Sequence, residues 1–325
     1  MSHGTPMWLA DWSDSEDADF RWAWNRAGIE TRVLRSRPLG PTVGTRAHRL
    51  RSWPVYLSLA MRGLHQAGDG AVVAWQPLVG AVAGLLRRGS TPRLVALSPI
   101  LVDGARNSAL QRVALKGYAR CDRLLFYTRP GVETAATLGL SRSALRFVPL
   151  GVRPRRDEPL PPGDYLLAVG RDSRDWATLA EAAQGLKMDV AVVGPASVPE
   201  PGPLRLEPQV SGDAFFALLE GAAAIVLPFA RTDRPIGHLS MLAAMSVGRP
   251  IVATRSPGVE DYISEDIGSV VPPRDPRALR VALEELSDPT VAAEKGRAAL
   301  IAARTAFSLE RFVREVDHEA RGETS

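Results

Sequence analysis

Twice along this chain, short apolar runs alternate with stretches of helical period, and a proline- and glycine-rich break separates the two series. That pattern leaves few folds open. Parallel strands cannot be joined by a hairpin and need a crossover, usually a helix. In the first series PMWLA (6–10), ETRVL, AVVAW, RLVALS, DRLLFY and LRFVPL read as strands. Helices are expected over 17–27, 47–66, 107–119 and 130–139, and over PLVGAVAGLLRR, which Pro77 starts in its first turn. SRPLGPTVGT reads as a loop.

The break is GVRPRRDEPLPPGD, residues 151–164, in which six of the fourteen residues are Pro or Gly. It reads as an interdomain linker. The alternation then restarts. YLLAVG, DVAVVG, AAIVLPF, RPIVAT and GSVV are expected strands, with helices over 175–185, 211–221 and 236–247. Further helices are expected over 275–287, 290–304 and 308–320. The expected division is an N-terminal domain 1–152, a linker 153–163 and a second domain 164–305. Residues 306–325 would form a helix packing back on the first domain. Both domains would be α/β with parallel sheets. Ligands of such sheets sit beyond the carboxyl ends of the strands.

Charge divides the chain as the linker does. Residues 1–150 hold 20 Lys+Arg and 10 Asp+Glu, whereas 151–325 hold 20 and 26. Opposite signs suggest two units with different partners. No apolar run is long enough to span a bilayer, and the N-terminus lacks a secretory pattern. Cys121, the single cysteine, excludes an internal disulfide framework and a Cys-rich zinc site. A reducing, cytoplasmic location is expected.

Two stretches carry chemistry. In LLAVGRDSRDWATLAEAA (166–183) a strand ends at Gly170, Arg171 and Arg174 follow, and a helix starts near Asp175. Guanidinium groups beside a helix N-terminus suit a phosphate. Alternatively, Asp175 caps the helix and the arginines are solvated. In LPFARTDRPIGHLSMLAAMSVGRPIVATRSPGVEDYI (227–263), Gly237 lies at a helix start. The amides of Gly237, His238, Leu239 and Ser240 would form an anion site built from backbone. His238 is either a donor to a phosphate or sugar hydroxyl or a capping or surface residue.

The second half resembles the donor domain of glycosyltransferase family 4, of GT-B architecture. The resemblance rests on VPLGV (148–152), VGR (169–171), IGHLSMLAAMSVGRPIVAT (236–254), PGVEDYI (257–263) and GSVVPPRDP (268–276), in order. It implies two Rossmann-like parallel-sheet domains facing across a cleft. It also implies retaining, metal-independent transfer of a sugar, hexosyl in type, from a nucleotide diphosphate sugar. No cofactor is expected. The acceptor would be a hydroxyl or amine on a glycan, a lipid-linked sugar or a small natural product. The resemblance lays Arg171 on the donor diphosphate, with Gly170 beside it, and Gly237 to Ser240 over the phosphates. Glu260, in the 258–263 segment, would lie nearby.

Departures from the family pattern are specific. Its lysine positions after the VGR arginine hold Asp175 and Trp176, so Arg174 is the expected substitute. Its two glutamate positions hold Pro235 and Ala243. Asp233 is a replacement for the first, and the second has none. This leaves a rival reading, a non-catalytic nucleotide-sugar-binding partner protein. A GT-B epimerase is a further rival, against which the lost glutamates count.

Asp17-Ala-Asp19 imitates a metal motif of the other major glycosyltransferase fold, but it sits at an expected helix start and reads as helix-dipole pairing. The chain lacks a Gly-x-Gly-x-x-Gly and a P-loop, and its histidines lack metal spacing. On the acceptor side Trp12, Asp14, Gln76, Ser98 and Asp103 follow strands. Asp103 is the candidate to align an acceptor hydroxyl, against an ordinary loop or capping role. Residues 21–62 hold nine Arg and one acid, Glu30, interleaved with Trp22, Trp24, Trp53 and Tyr56. Peripheral contact with the inner face of a membrane is one reading of this stretch; binding of an anionic acceptor or nucleic acid, and a solvated face with core aromatics, are the others. No nucleic-acid partner is expected.

Overall fold

The computed structural model describes residues 4–10, 13–36, 46–99, 101, 109–170, 173–195, 197–199, 202–230 and 235–323. In chain order the elements begin β1 (Met7–Ala10), α1 (Asp14–Ala27), β2 (Arg32–Arg35), α2 (Arg46–Ala67), β3 (Ala71–Ala74) and α3 (Pro77–Leu86). Then follow β4 (Arg93–Leu97), α4 (Ala109–Tyr118), β5 (Arg123–Phe126), α5 (Arg129–Thr137) and β6 (Leu145–Phe147). The second series is β7 (Tyr165–Val169), α6 (Trp176–Ala183), β8 (Asp189–Val193), β9 (Leu204–Leu206), α7 (Asp213–Gly221) and β10 (Ala222–Leu227). It closes with α8 (His238–Ser246), β11 (Ile251–Thr254), β12 (Gly268–Val271), α9 (Pro276–Leu286), α10 (Pro289–Arg304) and α11 (Leu309–Arg321).

Two compact units result, Met1–Pro149 with Leu309–Ser325, and Leu150–Ser308. Each holds one six-stranded sheet, ordered β2-β1-β3-β4-β5-β6 in the first and β12-β11-β10-β7-β8-β9 in the second. All pairings between these strands are parallel. The α/β expectation therefore holds for both halves. The central strands β3 and β10 are buried end to end, and β7 from its second residue on, as sheets covered on both faces require. In the second sheet the strand order reverses between β7 and β10, where Leu167 faces Ile225 and Ala168 faces Val226. A doubly wound sheet opens a crevice at such a reversal, beyond the carboxyl ends of the two strands.

In the first unit, Tyr56, Leu59, Val72, Val79, Leu94 and Leu124 are part of one core cluster. A separate aromatic group gathers Trp8, Phe20, Trp24 and Trp75 with Tyr127 and Phe312. Phe312 comes from α11, whose buried positions Leu309, Phe312, Val313, Val316 and Ala320 recur at helical spacing. Its polar face pairs with α1 through Glu310 and Arg26, 3.2 Å apart.

Some boundaries differ from the sequence reading. The strand expected over LRFVPL ends at Phe147. The edge strand β9 went unread: it is three residues long and follows Pro203, and strands this short carry little alternation to detect. Helix α1 starts earlier than expected, because Ser13 and Glu16 form a capping box. The Ser-x-x-Glu signal for it is present in the sequence.

Candidate functional site

The reversal between β7 and β10 brings two loops together. The amide of Asp175 donates to the Pro228 carbonyl at 2.7 Å, and that of Ala230 to the Ser173 carbonyl at 3.0 Å. Arg174 and Phe229 pair as an antiparallel bridge between these bonds. The segment after β7 is thus stitched to the segment after β10 at the ligand crevice of the fold.

Side chains complete the joint. Arg174 Nε donates to the Val169 carbonyl at 2.9 Å, which folds the side chain back over the end of β7. Its guanidinium carbon lies 4.7 Å from the centre of the Phe229 ring, within cation–π range. Gly170 has φ +131°, and a Cβ there would collide with the Arg174 guanidinium. Gly237 has φ +83°, and a Cβ there would overlap the Phe229 ring. Both positions therefore require glycine twice over, for backbone conformation and for space. Gly170, Arg174, Phe229 and Gly237 form one continuous stack. Three of them were expected at the site. Phe229 was not, since an aromatic just past an apolar strand looks like core.

Gly237 is the N-cap of α8 and offers no side-chain cap; the first α-helical bond runs from the Met241 amide to the Gly237 carbonyl at 3.0 Å. Among the described residues no side chain caps the first-turn amides of α8, and the helix dipole stands behind them. Leu239 is exposed, and Ser240 lines a pocket of about 510 Å³. Gly170 and Val169 from the end of β7, Gly194 from the end of β8, and Gln209 and Phe215 share that pocket. Its size suits a small organic ligand.

His238 is neither a cap nor a surface residue. Its ring packs against Tyr262, centroids 5.1 Å apart, and Tyr262 in turn stacks on Phe307 at 4.9 Å. The Tyr262 hydroxyl accepts from the Leu150 amide at 2.9 Å, which fixes this aromatic ladder. Nε2 of His238 is buried and has no hydrogen-bond partner among the described residues. Burial pushes the imidazole pKa down to about 4, so the ring is neutral at neutral pH.

The remaining expected residues divide. Asp175 caps α6, accepting from the Thr178 amide at 3.0 Å and the Thr178 hydroxyl at 2.7 Å. Glu260 is exposed and pairs with Arg255 at 3.1 Å; it does not line the pocket of Gly170 and Ser240. Arg171, Asp233, Asp103 and Trp12 lie outside the described residues. Asp14 pairs with Arg35 at 2.8 Å, and Asp17 pairs with Arg21 at 2.7 Å. Asp17 lies in the first turn of α1, where the helix-dipole reading puts it; Asp19 lies beyond that turn. Gln76 is the N-cap position of α3. The Ser98 amide donates to Leu125 at 2.7 Å.

Residues 164–288 match the family model described as Glycosyl transferases group 1. No curated protein matches the sequence. Among solved structures, sucrose-phosphate synthase from Thermosynechococcus elongatus is similar over 98% of this chain and 98% of its own, at 19% identity and TM-score 0.72. HepE from Anabaena, solved with UDP-glucose, is similar over 98% and 100%, at 13% identity and TM-score 0.70. The lipopolysaccharide outer core galactosyltransferase WaaB is similar over 97% and 99%, at 14% identity and TM-score 0.66. The fold is the GT-B one expected from the sequence, and the unit holding the Arg174–Phe229 stack carries the match to group 1 glycosyltransferases.

Proposed function

We propose that this protein is a glycosyltransferase that moves a sugar from a nucleotide diphosphate sugar to a hydroxyl or amine acceptor, with retention and without a metal. The observation that carries the reading is the stack of Gly170, Arg174, Phe229 and Gly237, which sets a guanidinium beside the side-chain-uncapped start of α8. The HepE structure with UDP-glucose makes a UDP-sugar the first donor to try.

In the transfer, the bond from the anomeric carbon to the diphosphate oxygen breaks, a bond from the acceptor oxygen or nitrogen forms on the same face, and the acceptor's proton passes to the departing diphosphate. Negative charge collects on the departing diphosphate. Arg174, Arg171 and the first-turn amides from Gly237 to Ser240 would stabilise it, and fixed donors of this kind supply a large share of rate enhancement. Arg174 is held by Val169 and Phe229 before any ligand arrives, so little reorganisation is needed. His238, neutral and buried, would offer a hydrogen bond rather than a charge. Asp103 remains the candidate to align the acceptor.

Peripheral membrane contact belongs to the same reading. Trp53, Leu57 and Met61 are exposed at four-residue spacing along α2, in the arginine-rich stretch. The acceptor would then be lipid-linked and the protein cytoplasmic.

The test is turnover of UDP-sugars by the wild type and by Arg171→Ala. The variant should keep its fold and lose at least about tenfold in turnover, the size of one lost charge-assisted contact. Wild-type turnover in the variant would overturn the assignment of the diphosphate site. A second reading, a donor-binding protein without transfer activity, is favoured by Pro235 and Ala243 at the family's glutamate positions. Nucleotide-sugar binding without hydrolysis or transfer across a broad acceptor set would support it.

A further inference from the structure

The first unit holds a second polar pocket, of about 480 Å³, which the donor reading does not use. Four arginines and a histidine converge on it from three elements: Arg129 opens α5, Arg146 lies on β6, and Arg311, Arg314 and His318 lie on α11. Positions 311, 314, 315 and 318 share one helix face, opposite the face that carries Phe312. Arg129 stands over the Phe147 ring, 4.5 Å from its centre. Phe147, Val148 and Pro149 supply an apolar wall.

The carboxylates around the pocket are shared out thinly. Glu319 takes both Arg123, at 2.6 Å, and Arg146, at 3.2 Å. Glu310 takes both Arg314, at 3.0 Å, and Arg26, at 3.2 Å. Glu315 pairs with Arg311 at 2.5 Å, and His318 lies 3.5 Å from Glu323. Among the described residues that line the pocket, four are arginines and two are glutamates, so positive charge prevails. Arg146, Arg311 and Arg314 are 42%, 39% and 53% exposed, which leaves them within reach of a solute. Planar guanidinium groups arranged around a partly apolar recess favour a phosphate carried on a small molecule over a bare cation or a neutral sugar.

We propose that this pocket between α5, β6 and α11 binds the phosphate group of a small phosphorylated molecule, at a site built wholly by the first unit. The proposal is independent of the donor site. Burial of Glu315 raises its pKa, so its negative charge in the pocket is held at a cost that a bound phosphate would increase.

The test is calorimetric titration of the full chain with inorganic phosphate, inorganic pyrophosphate and glucose 6-phosphate. The probes are repeated on Arg314→Ala, Arg129→Ala, Glu315→Gln and, as a donor-site control, Arg174→Ala. The arginine variants should weaken binding about tenfold, and Glu315→Gln, which removes a competing charge, should tighten it several-fold. Arg314 is exposed, so its variant should fold, and Glu315→Gln keeps the side-chain shape. Tighter binding of glucose 6-phosphate than of inorganic phosphate supports the proposal; the reverse order overturns it in favour of the inorganic ion. The proposal is overturned if none of the three probes binds. It is equally overturned if binding ignores Arg314 and Glu315, or disappears only in Arg174→Ala.

Discussion

The Arg174 guanidinium lies over the Phe229 ring, 4.7 Å from its centre, and the edge of the same ring fills the space a side chain at Gly237 would occupy. One aromatic ring thus fixes the spacing between a cation and the start of α8. Gly237→Ala must either move that ring or move the helix start, and it also places Ala at a positive φ. The expected cost is about 1–3 kcal/mol. Chemical denaturation should show it, together with weaker nucleotide binding. Wild-type stability and affinity in this variant would show that the spacing does not matter.

His238 makes stability depend on pH. Its folded pKa, about 4, lies below the usual 6.5, so the unfolded chain takes up its proton first. The contribution is complete above about 6.5 and is lost as the pH falls toward about 4. His238→Phe should therefore flatten the fall in Tm between neutral and mildly acid pH. An NMR titration of the wild type should find the His238 imidazole still neutral below the usual imidazole range. Protonation of His238 with an ordinary midpoint would contradict its burial.

Much of this was legible along the chain, and the rest was not for identifiable reasons. Parallel strands and their helices declare themselves locally, since burial on both faces makes a strand continuously apolar. Gly170 and Gly237 could be picked out because each is a glycine at a strand end or helix start, and Arg174 because a guanidinium just before a helix suits a phosphate. Phe229 gave no such signal: its importance arises only when the reversal between β7 and β10 sets it against Arg174. The pocket of Arg129, Arg146 and Arg314 was equally hidden, because α11 lies far along the chain from α5 and β6. His238 was read as a cap, a surface residue or a donor. Its packing on Tyr262 depends on a turn more than twenty residues later.

The aromatic group around Phe312 should hold α11 to the first unit. Phe312 is fully buried and contacts the rings of Phe20, Trp75 and Tyr127. Phe312→Ala should cost about 3–5 kcal/mol in denaturant unfolding. Faster amide exchange along α11 should accompany the loss. An unfolding midpoint equal to wild type would mean that α11 docks by other contacts.

The exposed stripe of Trp53, Leu57 and Met61 leads to a separate expectation. Vesicles containing anionic lipid should co-sediment the protein, and added salt should release part of it. Trp53→Ser with Met61→Ser should reduce binding several-fold without lowering Tm. Equal binding by the double variant, or none by the wild type, would remove α2 as a membrane contact.

In the proposed reaction the crevice between β7 and β10 binds a nucleoside diphosphate through Arg174 and the start of α8. Thermal unfolding against UDP, GDP, dTDP, CDP and ADP, each without metal, tests it most directly. At about 100 times the dissociation constant, a ligand adds about 2.7 kcal/mol of stability, which raises Tm by several degrees in a protein of this size. Such a shift is expected with at least one nucleotide, and its loss in Arg174→Ala. No shift with any of the five, or an undiminished shift in the variant, would contradict it.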